Sequence, residues 1–90
     1  MKTIWKFPVR VADEFTIQMP RGARLLSVQA QRDEPQLWAL VDTMAPMIDR
    51  GFALRGTGHA TGLLDSTPFV GTFQIHGGAL VFHLFDLGES

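Results

Sequence analysis

Cysteine is absent from this chain, which excludes disulfide bridges and thiolate metal sites together. Charge is scarce: charged residues make up 19% and the net charge is −1, so the basic excess that marks non-specific nucleic-acid binding is missing. No apolar run approaches the roughly 20 residues of a membrane span, and the N-terminus lacks the hydrophobic region of a signal peptide. These absences lead us to expect a soluble, cytoplasmic protein without membrane contact. Helical periodicity is missing too, since no segment repeats apolar residues at i, i+3 and i+4 over three turns.

What is present is a hydrophobic content of 46% over 90 residues. That is too apolar for a disordered chain and enough for a single domain, 1–90, with one core. A domain of this size buries only roughly 60–65% of its unfolded surface, so association of subunits would add needed stability.

The apolar residues alternate, and the period predicts an all-β fold. In Ile4–Val9, Trp5, Phe7 and Val9 share one face, and Pro8, which cannot donate to a ladder, makes the strand an edge or ends it early. Phe15, Ile17 and Met19 point inward from the next strand, which ends at the turn Pro20–Ala23. Arg24–Gln31 and Gln36–Asp42 form a hairpin around Asp33-Glu34, pairing Val28 with Ala39. Its core face would carry Leu26, Val28, Ala30, Leu37, Ala39 and Val41, with Ser27, Gln29, Gln31 and Trp38 outside. Asp42–Arg50 reads as a loop, Phe52–Gly56 as a fifth strand and Ala60–Thr67 as a polar loop.

The clearest hairpin is C-terminal. Gly77-Gly78 tolerates the positive φ angles of a two-residue turn, which sets Ile75 opposite Leu80, Phe73 opposite Phe82 and Thr72 opposite His83. Phe69, Phe73, Ile75, Leu80, Phe82 and Leu84 then form an apolar core face. Val70, Thr72, Gln74, His76, Val81, His83 and Phe85 form a mixed face suited to an interface. About seven short strands with turns every eight to twelve residues imply a small antiparallel sandwich or barrel.

Candidate chemistry is sparse. In Arg55-Gly56-Thr57-Gly58-His59 the glycines allow close backbone approach, and successive N–H groups can form an anion-binding nest. Arg55 supplies a fork for phosphate or carboxylate, while Thr57, Gly58 and His59 supply further polar contacts. Trp38 or Trp5 could stack on a base. The same glycines also serve simply to end a strand, and no Lys-Ser/Thr pair or helix follows, so this is not a P-loop. His76 and His83 share a hairpin face without third and fourth ligands, so neither a metal site nor a cofactor is expected. No catalytic residue is selected. A hydrolase using His59 as base and Arg55 as anion stabiliser can be written, without a motif that requires it. Thr72, Val81, His83 and Phe85 form the expected interface, where pairing with a second copy is the economical arrangement.

Trp5-Lys6-Phe7, Met19-Pro20 with Gly22-Ala23, Trp38-Ala39, Gly56-Thr57-Gly58-His59, Gly71-Thr72-Phe73 and Leu80-Val81-Phe82-His83-Leu84-Phe85 together resemble a family of short bacteriophage and prophage proteins. The likeness spans nearly the whole chain. It implies a phage-encoded accessory protein in the cytoplasm of an infected bacterium and carries no catalytic residue with it. By analogy with small phage proteins, the expected function is non-enzymatic counter-defence, with a homo-oligomer sequestering a nucleotide-like anion. The alternatives are an inhibitor that docks on a host defence protein through the outer sheet face, a small nucleotide hydrolase, and a virion component.

Overall fold

Strand pairing follows the alternation. The computed structural model describes residues 1–90 and contains β1 (Lys2–Pro8), β2 (Glu14–Pro20), β3 (Arg24–Gln31), β4 (Glu34–Asp42), β5 (Met47–Gly56), β6 (Phe69–Ile75) and β7 (Leu80–Glu89). They form two antiparallel sheets, ordered β1-β4-β3 and β2-β5-β7-β6. The sheets do not close into a barrel, so the sandwich is the architecture realised. Its Cα envelope of 39 × 31 × 16 Å has a short axis set by two sheets packed face to face.

Phe7, Val28, Leu37, Ala39 and Val41 of the smaller sheet face Phe15, Met19, Phe52, Leu54, Phe73 and Leu84 of the larger one. Phe15 and Phe52 stack across β2 and β5 with ring centroids 5.7 Å apart. Trp5 points to this side as well, opposite Ala39, but lies at the rim and remains 36% exposed.

The C-terminal hairpin has the expected register. Gly77 and Gly78 have φ of 66° and 94°, and the Ala79 N–H donates to the His76 carbonyl at 3.1 Å. The other hairpin turns one residue earlier than expected, at Arg32-Asp33, with φ of 53° and 67°. Glu34 precedes Pro35 and is therefore held extended, which denies it the left-handed position of such a turn. Val28 consequently pairs with Leu37 rather than Ala39. The slip is an even one, so the same face stays inward.

Three bulges interrupt the ladders, and two of them alter the expected faces. In β3 the register shifts between Leu25 and Ser27, so Leu25 packs on the core and Leu26 is exposed. In β6 it shifts between Phe69 and Gly71. Val70 then joins the core, and Phe69, expected inside, is 57% exposed. In β7 the extra residue opposite Gly51 and Phe52 is Leu87. An inserted residue reverses the inward-outward alternation on one side of it. Leu80, also expected in the core, lies exposed beside the hairpin tip. Met47–Arg50 is strand rather than loop, because β2 takes it as a partner along Ile17–Pro20.

The two sheets meet most closely where β6 passes β3. A Cβ on Gly71 would stand 2.9 Å from Val28 Cγ1, nearer than real contacts allow. At one end of the slab the hairpin tips touch through the His76 N–H, which donates to Asp33 Oδ1 at 2.6 Å. At the other end Arg50 ties the larger sheet to the link that leads into β3. Its Nε and Nη2 donate to Asp86 at 3.1 and 2.6 Å, and Nη1 donates to the Ala23 carbonyl at 2.7 Å. The side chains are 14% and 13% exposed. Burial alone pushes the Asp86 carboxyl up, but the Arg50 hydrogen bond, the Gly88 N–H and the Arg50 charge outweigh it and hold the group below its ordinary value.

Two outcomes are expected. A carboxyl depressed in the folded state stabilises above its unfolded value, near 4, and loses that contribution as pH falls through the folded value. Asp86→Asn should therefore cost about 2–3 kcal/mol at neutral pH, and urea titrations should show this difference from wild type shrinking below about pH 4. Gly71→Ala should cost about 1–3 kcal/mol through overpacking. The same titration should show a smaller cost in a Val28→Ala background, where the obstructing methyl is gone.

Candidate functional site

The outer face of the larger sheet has a polar half and an apolar half. In the polar half, His83 of β7 stands opposite Arg55 of β5 and Thr72 of β6. Thr57 follows the end of β5, where its N–H donates to the Val81 carbonyl. This brings the Thr57 hydroxyl 2.7 Å from His83 Nε2, while the Thr72 hydroxyl lies 2.8 Å from Nδ1. Each hydroxyl can donate and accept, so both ring nitrogens are satisfied in either tautomer. The imidazole is thus fixed in orientation across three strands.

The apolar half lies alongside it. Phe85 stands opposite Phe69, with ring centroids 5.4 Å apart and planes inclined at 59°. Its other neighbour across the sheet is Ala53. A Cβ on Gly51 would stand 3.3 Å from the Leu87 Cβ, so Leu87 covers this glycine on the same outer face. Phe69 and Leu87 are exposed and Phe85 half-buried. They form a contiguous apolar surface beside a row of fixed hydrogen-bonding groups.

The residues expected to bind an anion are not gathered in one place. Arg55 Nη1 donates to the Asp13 and Leu54 carbonyls at 2.8 and 3.0 Å, and Nη2 lies 3.9 Å from Glu14. Its fork is engaged within the chain. The His59 ring folds back over Gly56, where an added Cβ would come within 3.0 Å of it. A recess of about 220 Å³ beside it is lined by Gly56, Thr57, His59 and Leu80 among others. Gly58, with φ of 86°, turns the chain here. Trp38 lies in the other sheet, opposite Lys6 and Ser27 on its outer face. Trp5 lies on the inner side of that same sheet. The arginine and the two indoles therefore occupy three different surfaces.

The expected interface residues do come together. Thr72, Val81, His83 and Phe85 share the outer face of β6 and β7. Phe69 and Leu87 complete this surface and escaped the sequence reading: a bulge turns Phe69 outward, whereas Leu87 continues the alternation of Val81, His83 and Phe85 where β7 runs on past the expected hairpin. The Thr57–His83 link also escaped it, since Thr57 lies past the end of a strand.

With its guanidinium holding two main-chain carbonyls, Arg55 has a structural role that can be measured. Arg55→Ala should lower stability by about 1–2 kcal/mol in urea denaturation, while NMR shifts of Thr72 and His83 stay near those of the wild type.

No curated protein and no solved structure matches this chain. A family model does, over residues 1–90. The chain belongs to the family described as Domain of unknown function (DUF7352).

Proposed function

We propose that this chain is a non-enzymatic binding protein that docks on another protein through the outer face of its four-stranded sheet. In this reading it is a phage accessory factor acting on a host defence component in the cytoplasm of the infected bacterium. That setting comes from the motif resemblance. The choice of surface is carried by one observation: Phe69, Phe85 and Leu87 form an exposed apolar surface directly beside the fixed Thr57–His83–Thr72 row. Aromatic anchors next to oriented polar groups suit a protein partner.

Sequestration of a nucleotide-like anion is the weaker alternative, because Arg55 would first have to leave Asp13, Leu54 and Glu14. A hydroxyl, an imidazole and a second hydroxyl in line also follow the order of nucleophile, base and orienting group. Here, however, no surface cavity reaches His83 or Thr72, so the row lacks the cleft that would surround a substrate.

The test is affinity capture from host lysate, followed by titration of the purified partner. Phe69→Ser and Leu87→Ser should each weaken binding at least about tenfold, or 1.4 kcal/mol, with the fold intact by circular dichroism. Undiminished binding by both variants would refute the surface. A rise in melting temperature with cyclic nucleotides, abolished by Arg55→Ala, would favour sequestration instead.

A further inference from the structure

Four strands lie at sheet edges in this fold: β1 and β3 in one sheet, β2 and β6 in the other. Exposed edges invite pairing with another chain, and natural sequences blunt them with lysine, proline, bulges or cover. Three of the four carry such protection. β1 has Lys2, Lys6 and Pro8. β3 and β6 are each bulged, at Leu26 and Val70, and pass close to one another at Val28 and Gly71. β2, with the sequence EFTIQMP, has no lysine, no bulge and no proline before its last residue.

The free hydrogen-bonding groups of β2 can be assigned. The Leu54 N–H donates to the Asp13 carbonyl and the Arg21 N–H to the Pro46 carbonyl, both at 2.9 Å. In an antiparallel ladder the residues facing the partner strand alternate, so odd-numbered residues of β2 bond to β5. The N–H and C=O groups of Glu14, Thr16 and Gln18 therefore point outward, together with the Pro20 carbonyl. No hydrogen bond outside the ladders uses those of Glu14, Thr16 or Gln18, and the Pro20 carbonyl accepts one, from the Ala23 N–H at 3.2 Å.

We propose that a second copy of this chain pairs with β2 edge to edge, joining two four-stranded sheets across a twofold axis at Ile17. An isologous antiparallel pair must set outward residues against outward residues. Centring on Ile17 does this along the whole strand, with Thr16 against Gln18 and Glu14 against Pro20. About six main-chain hydrogen bonds result, the proline withholding one donor at each end and its carbonyl, which already accepts from Ala23, accepting a second. On the inner side Ile17, half-buried within one subunit, meets its own symmetry mate, and Phe15 meets Met19. The two cores become continuous there.

Charge selects the same register. Centring on Ile17 places Asp13 of each copy opposite Arg21 of the other. Both residues are exposed, and neither side chain has an ion-pair partner in its own subunit. Antiparallel self-pairing of β1 would instead bring lysines near lysines. The occupant that fits β2 in shape, hydrogen bonding and charge is therefore β2 itself.

Sedimentation velocity over about 1–500 μM, a range that brackets micromolar affinity, tests the proposal. Wild type should form a concentration-dependent dimer. Asp13→Arg or Arg21→Asp alone should raise its dissociation constant several-fold, and the double exchange should restore it. Gln18→Pro removes an outward N–H that the single subunit does not use, so it should yield a monomer with normal circular dichroism. Ile17→Cys, in a chain with no other cysteine, should cross-link under mild oxidation. A monomer throughout the range, or a dimer indifferent to Gln18→Pro and to the charge exchanges, overturns the proposal. The dimer is independent of the docking surface: Phe69→Ser should leave it intact, and Gln18→Pro should leave Phe69 in place.

Discussion

The approach of Gly71 to Val28 closes one long side of the sandwich. Because β6 lies against β3 there, both strands can bulge without exposing a usable edge. The opposite side is left to β1 and β2, which have no comparable contact with each other. The ends are pinned differently, by Asp33 against His76 at the hairpin tips and by Arg50 against Asp86 and Ala23 at the far end. This division into a closed side, an open side and two tethered ends decides which surfaces remain free to meet anything else.

A core of 14 buried apolar residues leaves a chain of this size with modest stability, so polar contacts near its rim carry weight. Arg50 illustrates the balance. Removing its charge from water is costly, and the cost is offset only because Asp86 and the Ala23 carbonyl occupy the donors of its fork. Arg55 resembles it in chemistry but acts locally, holding the entry to β2 against the end of β5. Both arginines, Arg55 the one expected at an anion site, are engaged in fastening strands.

Most of the strands were legible in the chain because the apolar period is two. Phe15, Ile17 and Met19 turn inward as expected, and so do Leu37, Ala39, Val41, Phe73 and Leu84. The C-terminal hairpin was legible down to its register, since a glycine pair admits the left-handed turn that matches strand twist. Phe69 and Leu26 were not. A bulge inserts one residue into the count, and each of these two residues is as suitable inside as outside, so composition could not mark the insertion. The outer surface was half legible: Thr72, His83, Phe85 and Leu87 lie on one alternation, while Phe69 and Thr57 joined them only through long-range geometry.

From residues alone came the all-β class, the turns at glycine and proline, and the inward side of nearly every strand. These are local consequences of backbone stereochemistry and of apolar groups avoiding water, and they act over a few residues at a time. Which strands share a sheet, where the bulges fall, that Arg55 is already occupied, and that β2 keeps an unguarded edge were decided by the tertiary structure. Those features depend on groups far apart in the chain meeting at specific distances, and alternation carries no record of the partner across the gap.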